Sequence, residues 1–382
     1  MAPSEPGSFR GAALISAAPA SRAAWAARLN AVAFVDPVKA LALLDALGPA
    51  RLAEATEEEW AAAAGLSLER AGRWRREALA FDLDGERRRA EAAGARLLAR
   101  GEPDYPETLA SLPDAPMVLY AWGRLDDLPA VAVVGSRAPT NYGRRMARRL
   151  AGDLARRRVA VVSGLARGVD AVAHVAALEA GGTTWAVLGS GLGQIYPPEN
   201  RDLARRIADE GGCVLSEYPL AVTPRAEHFP RRNRIVAGLS WATIVVEGRA
   251  RSGALLTARN AAEYGREVLA VPGPADSPLS EAPHGLLRDG ARLAASVEDV
   301  LDALPPGFAS RPQTPPRAVA APTLEGEEAR ILRQLGGDSL SLDELGRLTG
   351  LDMTHLSLIM FGLEIKELVS AVPGQRYAKK TL

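Results

Sequence analysis

Apolar runs alternate with helical patterns through the middle of this chain. Six runs predict strands, at Val131–Val134, Val159–Val162, Thr184–Leu188, Val214–Leu215, Ala242–Val246 and Val268–Val271. Segments with helical spacing of their apolar residues lie between most of them. Repeated strand–helix units predict an α/β fold, with a mostly parallel sheet that helices cover on both faces.

The region before this alternation has a different pattern. Residues 22–83 are rich in Ala and Leu at helical spacing, and Gly48-Pro49 and Gly65 divide them into short helices. We predict a small helical domain over residues 22–85, whose turns loosely resemble SAM-like modules. Residues 1–21 are interpreted as a disordered tail, because the Ala-rich start lacks the apolar core and basic segment of a signal peptide.

The end of the chain predicts a linker and a separate module. Residues 305–323 contain six prolines and predict a flexible linker. In residues 324–382, a capping box at Ser341–Glu344 begins a second helix that Gly350 ends. With a helix before it, a third helix after it and a short hairpin around Pro373-Gly374, this module is predicted to be a winged helix.

The third helix of the module is the element that would read DNA, yet Met353–Gly362 contains no lysine or arginine. A helix in the major groove usually carries groups that contact bases and phosphates. We therefore favour a protein-contact role for this module over DNA reading.

The composition excludes several kinds of site but does not by itself indicate a function. The chain has 46 basic and 46 acidic residues and no net charge, so a nucleic-acid site has to be local. The single cysteine, Cys213, excludes an internal disulfide and a cysteine zinc cluster. Cys213 lies in an apolar run, which predicts a buried thiol and fits a reducing cytoplasm. No stretch is long and apolar enough to span a membrane.

Small and basic residues follow the predicted strands. They are Gly135-Ser136-Arg137, Ser163-Gly164 with Arg167, Gly189 and Gly191, and Arg249 with Arg251-Ser252. The carboxyl ends of parallel strands share one edge of a sheet, where ligands bind. Small residues allow close approach to the backbone, and the helix amino termini just beyond favour anions. The sequence therefore predicts a phosphate-binding crevice at this edge.

One further run carries several candidate residues. Phe229 is followed closely by Arg231, Arg232, Asn233 and Arg234. Guanidinium groups bind phosphates in two-pronged fashion and an aromatic ring stacks on a base, so the run predicts a rim that holds single-stranded nucleic acid. The alternatives are a solvated helix start with surface arginines, and a phenylalanine that only anchors the core.

Catalysis and metal binding have weaker signals. Glu217 and Glu247 follow predicted strands and could form a carboxylate pair, or could orient arginines or cap a helix. The four histidines do not cluster, and His174 is interpreted as packed or capping. Walker and dinucleotide motifs are absent from the sequence. We predict no metal, no cofactor and no catalytic residue.

These motifs together resemble the DprA/Smf family of bacterial DNA-processing proteins. The resemblance runs from about Leu97 to Leu304, and its motifs are Gly135-Ser136-Arg137, Ser163–Asp170 with His174, Leu188–Gly191 with Tyr196-Pro197, Ser216–Pro219, Phe229–Arg234, Ser252–Ala254, and Gly265–Glu267 with Val271–Gly273. One departure is the segment Ala282–Leu287, where the family usually has a Gly-x-Asn-like turn.

The resemblance implies several properties. It implies an extended Rossmann-like domain over residues 86–304, which binds single-stranded DNA without sequence preference. By motif position, Ser136, Arg137, Gly164 and the Arg231–Arg234 group contact phosphates. It also implies dimerisation through this domain, and loading of the partner RecA onto incoming strands in natural transformation.

Two other functions remain open at this point. A nucleoside-monophosphate hydrolase would share the architecture, but Pro272-Gly273-Pro274 does not match the motif of those enzymes. An adaptor whose partners matter more than DNA would use the linker and the module after it.

Overall fold

The structure is a computed structural model that describes residues 21–305, 326–335, 339–365, 368–372 and 376–379. It divides into two compact units, residues 1–317 and 318–382. The predicted tail up to residue 20 and the predicted linker from residue 306 lie outside the described residues.

The first unit is built on a sheet that has nine strands within residues 21–305. They are β1 Ala95–Ala99, β2 Val118–Gly123, β3 Ala130–Val134, β4 Ala160–Ser163, β5 Thr184–Leu188, β6 Cys213–Ser216, β7 Ala242–Val245, β8 Glu267–Ala270 and β9 Arg292–Leu293. Their order is β1-β2-β6-β5-β4-β3-β7-β8-β9. Strands β3 to β9 pair in parallel, and β1 and β2 are antiparallel additions at one edge.

The six predicted strands correspond to β3–β8, so the prediction of a mostly parallel α/β sheet is confirmed. The sequence analysis missed β1, β2 and β9. Strands β1 and β2 lie in a stretch that prolines interrupt, and the two residues of β9 are both exposed. The central strands are apolar throughout because helices bury both faces of a parallel sheet.

Thirteen α-helices accompany the sheet within residues 21–305. They are α1 Arg22–Asn30, α2 Pro37–Arg51, α3 Glu57–Ala64, α4 Leu68–Ala80, α5 Leu83–Ala92, α6 Glu107–Ala110, α7 Asn141–Arg156, α8 Val169–Glu179, α9 Arg201–Asp209, α10 His228–Gly238, α11 Gly253–Glu263, α12 Glu281–Arg288 and α13 Val297–Leu301. The segment that departs from the family pattern, Ala282–Leu287, lies within α12.

The glycine breaks predicted among the first helices are confirmed. Gly48 interrupts α2 with a φ of 69°, and Gly65 ends α3 with a φ of 57°. Both values lie in the left-handed region, which glycine adopts without steric cost.

The first five helices share a hydrophobic core with the sheet. Trp60 and Trp74 from these helices belong to the same buried cluster as Leu188 and Val214 from the strands. Polar groups reinforce this junction, since the Asn30 side chain donates to the backbone oxygen of Glu217 over 2.6 Å. The helices therefore pack as a layer on the sheet, and a domain boundary at residue 85 stays a prediction.

The second unit contains three helices and three strands in its described residues. They are α14 Glu327–Gln334, α15 Leu342–Thr349, α16 Met353–Ile365, β10 Leu340–Ser341, β11 Val369–Val372 and β12 Arg376–Lys379, with strand order β10-β12-β11. The capping box is confirmed, because the Glu344 amide donates to Ser341 Oγ over 3.2 Å and the Ser341 amide donates to Glu344 Oε2 over 2.8 Å. The predicted Pro373-Gly374 turn lies outside the described residues.

Candidate nucleic-acid interface

The sheet reverses its winding direction beside β3. From β3 the chain builds β4, β5 and β6 on one side, and it then crosses back to place β7 and β8 on the other. The loops after β3 and β7 therefore diverge and leave a crevice at the carboxyl edge, where open α/β sheets bind their ligands. A cleft of about 850 Å³ lies there, lined by loops after β3, β4 and β7 and by α10 and α11.

Three exposed arginines surround this cleft. Arg137 follows β3, and Arg249 and Arg251 follow β7. Within the described residues, no ion pair or hydrogen bond engages the guanidinium of any of them. The Arg137 guanidinium lies 6.0 Å from the centre of the Phe229 ring. The cleft thus presents positive charge that the protein itself does not neutralise.

The start of helix α11 opens into the same cleft. Ser252 occupies the N-cap position, yet its side chain accepts no hydrogen bond from the helix, and its buried Oγ has no partner. Gly253 and Ala254 follow it in the cleft lining. Free amides at a helix start and an unused hydroxyl form a site for an anion.

The Ser252 loop depends on a glycine. A Cβ atom on Gly248 would lie 2.6 Å from Ser252 Oγ, which is closer than such contacts occur. The glycine therefore allows the loop after β7 to fold tightly over the start of α11.

The loop after β3 is held by backbone contacts. The Val169 amide donates to the Ser136 oxygen over 3.1 Å, and Ser136 Oγ accepts from the Ala138 amide over 3.1 Å. A Cβ on Gly135 would meet Val169 Cγ2 at 2.8 Å. Gly135, Ser136 and Arg137 all line the cleft, as the sequence placed them.

Other predicted residues near the strand ends do not line the cleft. Ser163 is fully buried and its Oγ donates to the Val133 oxygen over 2.7 Å, so the side chain is part of the sheet. Arg167 is exposed but pairs with Glu199. Strand-end position alone does not bring a side chain to the ligand, because the side chains of a strand alternate between its two faces.

The predicted glycines after β5 serve packing. A Cβ on Gly189 would lie 2.9 Å from the Phe229 ring, and one on Gly191 would lie 2.1 Å from the Pro219 oxygen. Gly164 does line the cleft, and a Cβ there would lie 2.4 Å from the Arg232 guanidinium. Gly164 and Gly189 let α10 approach the sheet closely, and Gly191 does the same for the loop after β6.

The arginine-rich run of α10 divides between two faces of the helix. Phe229, Arg232 and Asn233 are directed toward the cleft and line it. Residues three apart share a face of a helix, so Arg231 and Arg234 lie together on another side. The prediction that all three arginines overhang the same edge as Arg137 is therefore wrong.

Arg231 and Arg234 converge on one buried carboxylate. Arg234 forms an ion pair with Glu217, which is 4% exposed, and Arg231 Nε lies 3.6 Å from the same carboxylate. Arg231 also donates to the Val35 oxygen in the helical layer. The two arginines therefore join α10 to the end of β6 and to the helical layer.

Arg232 lies beneath the cleft. It is 4% exposed, and its Nη1 donates to the oxygens of Gly164 and Val187 at the ends of two neighbouring strands. Burial lowers the pKa of Arg232 to about 10. Asp170, whose pKa burial raises, accepts from the Gly164 amide over 3.1 Å. Arg232 is therefore a buried side chain that connects the ends of two strands. Its neighbour Asn233 connects α10 to α11 instead, because its side chain donates to the Gly253 oxygen over 3.2 Å.

Phe229 has a partner that the sequence analysis did not select as a site residue. Its ring is half-buried and lies 5.7 Å from that of Tyr196, which is 41% exposed. The two rings and Arg137 form one aromatic and cationic edge of the cleft. The sequence identifies Tyr196-Pro197 only as part of a motif, because its position after β5 does not indicate that the chain turns back to α10 there.

Glu217 and Glu247, the candidate carboxylate pair, each make contacts that stabilise the fold. Glu247 accepts from the amide and the hydroxyl of Thr140, over 2.8 Å and 2.6 Å, and so holds the start of α7. Glu217 pairs with the α10 arginines. This agrees with the alternative in which the two glutamates orient arginines and cap a helix.

The remaining titratable groups of interest are buried. His174 is packed as predicted, with Nδ1 2.6 Å from Thr184 Oγ1, and burial lowers its pKa to about 3. Cys213 is a buried thiol, as predicted, and burial raises its pKa to about 12. Among the described residues, no group of three His, Cys, Asp or Glu side chains is placed to hold a metal ion. No helix of the described part is long and apolar enough to cross a membrane.

Comparison with known sequences identifies relatives over the same region. The family profile "DNA recombination-mediator protein A" matches residues 96–305, and "DprA winged helix domain" matches residues 315–375. "Protein Smf" of Escherichia coli (strain K12) is 41% identical over 275 residues, covering 71% of this chain and 74% of that protein. "DNA processing protein DprA" of Streptococcus pneumoniae is 46% identical over 199 residues, covering 52% of this chain and 70% of that protein.

Solved structures agree with the sequence matches. The X-ray structure of DNA processing protein A from Streptococcus pneumoniae superposes with a TM-score of 0.65 at 33% identity, covering 75% of this chain and 98% of that one. The structure that describes a single-stranded DNA binding mode of DNA processing protein A from Helicobacter pylori has a TM-score of 0.50 at 31% identity, covering 55% and 94%. With a family profile matching more than half of its length, the chain belongs to the DNA recombination-mediator protein A (DprA) family.

Proposed function

We propose that this protein binds single-stranded DNA without sequence preference in the cleft beside β3. The observation that carries the proposal is the convergence of Arg137, Arg249 and Arg251, all exposed and unpaired within the described residues, on the open start of α11. Relatives support the chemistry, since the Helicobacter pylori protein is described as binding single-stranded DNA.

The cleft suits a single strand for two reasons. The arginines can neutralise successive phosphates, and the Ser252 hydroxyl can donate a hydrogen bond to one of them once its side chain rotates toward the cleft. The Phe229 and Tyr196 rings lie on one edge, where a base can stack without its identity being read. Gly135, Ser136, Gly164 and Asn233 contribute backbone and amide groups to the same lining.

The site is tested by the salt dependence of binding. With a fluorescent oligothymidine, the variant Arg249→Ala/Arg251→Ala should bind more weakly, and its slope of log affinity against log salt should fall by roughly 1.4, at about 0.7 per lost contact. Arg137→Ala should lower the slope by roughly half as much. A binding line that coincides with the wild type in the double variant would refute the site.

Two controls separate the cleft from general surface charge. Arg88 is an exposed arginine of α5, away from the cleft lining, and Arg88→Ala should leave the slope unchanged. Arg231→Ala should leave the slope unchanged as well, because its guanidinium is directed to Glu217 and Val35.

The proposal extends to a mediator role without catalysis. The family implies that the protein protects incoming strands and loads RecA during natural transformation, acting in the cytoplasm as a homodimer formed through the large sheet domain. Size-exclusion chromatography with light scattering tests the dimer, which should have twice the mass of one chain.

A separate experiment tests for catalysis. Incubation of the protein with nucleoside monophosphates should release no free base. Base release that the variant Glu247→Gln abolishes would favour a nucleoside-monophosphate hydrolase instead.

The second unit is proposed as a protein-contact module. Helix α16 exposes Leu358 and Met353, the former to 73% of its surface, and carries no lysine or arginine over Met353–Gly362. Removing residues 306–382 should leave single-strand binding intact and impair RecA loading. Lost DNA binding in that truncated protein would assign the module to DNA instead.

A further inference from the structure

Helix α7 carries an arginine pattern that stability does not explain. Arg144, Arg145, Arg148 and Arg149 lie within its first nine residues, and its first acidic residue is Asp153. Positive charge near a helix start opposes the helix dipole. The spacing also creates two like-charge pairs four residues apart, which destabilise a helix.

Some other helices of this chain show the favourable arrangement. Helix α3 begins with Glu57–Glu59 and α15 with Asp343-Glu344, so acidic residues occupy their first turns. The chain as a whole has no net charge, so the arginine face of α7 is a local concentration.

Two of the four arginines have structural partners. Arg148 lies 2.5 Å from Glu179, and Arg149 donates to the Ala295 oxygen over 2.8 Å. Arg144 and Arg145 are exposed, and within the described residues neither forms an ion pair or hydrogen bond. The Arg145 guanidinium lies 5.9 Å from the Tyr142 ring, which leaves its charge accessible.

The start of α7 is fixed to the wall of the cleft. Thr140, its N-cap, follows directly from the loop of Arg137, and its amide and hydroxyl both donate to Glu247 after β7. A Cβ on Gly143 would lie 2.4 Å from the Glu247 carboxylate, so the first turn packs on the strand that leads to Arg249 and Arg251. The arginines of the first turn therefore continue from the cleft rather than forming a distant patch.

We propose that Arg144 and Arg145 form a second phosphate-binding track, on which a DNA strand continues after it leaves the cleft. Adjacent side chains of a helix point about 100° apart, so the two exposed guanidinium groups can contact about two separate phosphates of an extended strand. This inference rests on the proposed single-strand binding and adds the direction of the strand's path. The electrostatic cost of the arginine face is then offset by the polyanion that it holds.

The test compares oligothymidines of two lengths, about six nucleotides to fill the cleft and about 20 to extend beyond it. The variant Arg144→Gln/Arg145→Gln keeps side-chain length and helix propensity. It should bind the short oligonucleotide like the wild type. With the long one, its slope of log affinity against log salt should be lower by roughly 1.4, so a fourfold rise in salt weakens the wild type about sevenfold more than the variant.

A control variant distinguishes the proposed track from general attraction between DNA and the protein surface. Arg70→Gln/Arg88→Gln removes two exposed arginines from α4 and α5 and should change neither measurement. Equal losses in both double variants would mean general charge attraction and would overturn the track, as would an unchanged slope for the long oligonucleotide. Failure of the wild type to bind the short oligonucleotide would overturn the cleft as well. The urea midpoint of the Gln variant should not fall, since like-charge pairs are removed.

Discussion

The arginines of α10 and those of the cleft loops have the same chemistry and opposite roles. Arg231, Arg232 and Arg234 lie in the run with the densest positive charge of the family motif, yet they are paired with Glu217 or bonded to backbone oxygens. Arg137 and Arg251 come from loops with fewer charges, yet they are exposed and unpaired within the described residues. The density of arginine in a sequence is therefore a poor guide to where a ligand binds.

The difference follows from burial. A guanidinium taken out of water must be given hydrogen-bond partners by the protein, because an unpaired buried charge is costly. Those partners then occupy the donors that a phosphate would need. The N–H groups of an exposed guanidinium donate hydrogen bonds to water, and a phosphate can displace that water.

The largest expected effect is on stability from the α10 side. Arg234→Ala removes the main partner of Glu217, which is 4% exposed, and should reduce the free energy of unfolding by about 3–5 kcal/mol. Urea denaturation measures this loss. Arg137→Ala, on the cleft side, should change it by less than about 0.5 kcal/mol. Comparable losses in the two variants would break the distinction between the two sets of arginines.

Acid should loosen the scaffold while the cleft arginines stay charged. Burial holds the pKa of His174 at about 3, below the reference value of 6.5, so between these values the unfolded chain binds a proton that the folded chain does not. Stability therefore falls as the pH drops below about 6.5, by about 1.5 kcal/mol between pH 6.5 and pH 5 for this group. Urea midpoints across that range should fall less in His174→Gln, and parallel pH profiles would contradict the assignment.

The smallest effect separates binding from stability within the cleft. Ser252 Oγ is buried without a partner, so Ser252→Ala removes an unsatisfied group and should leave the free energy of unfolding unchanged or slightly raised. Affinity for an oligothymidine should fall about three- to tenfold, the worth of one hydrogen bond. Ser252→Thr keeps the hydroxyl and serves as the matched control. Weaker folding with unchanged affinity would place Ser252 among the structural residues.

The sequence analysis located the central sheet and most of the cleft loops. Strands β3–β8 were visible because buried parallel strands are continuously apolar, and Gly135-Ser136-Arg137 and Arg251-Ser252 follow two of them. The antiparallel strands β1 and β2 were missed, since prolines interrupt the stretch that contains them and β2 joins the sheet through β6, which is far away in the chain. Tyr196 was missed as a site residue for the same reason, because its contact with Phe229 depends on the tertiary fold.

The sequence by itself determined which residues follow the strands, and hence that small and basic groups meet at one edge of a parallel sheet. It also determined the family, because the motif spacing is that of DprA proteins over most of the sheet domain. Only the tertiary structure decided which arginines face the cleft. Helix α10 is rotated so that Glu217 captures Arg231 and Arg234, while Arg232 is buried under Gly164. That rotation results from packing against the helical layer and the strands, and the linear order of the residues does not contain it.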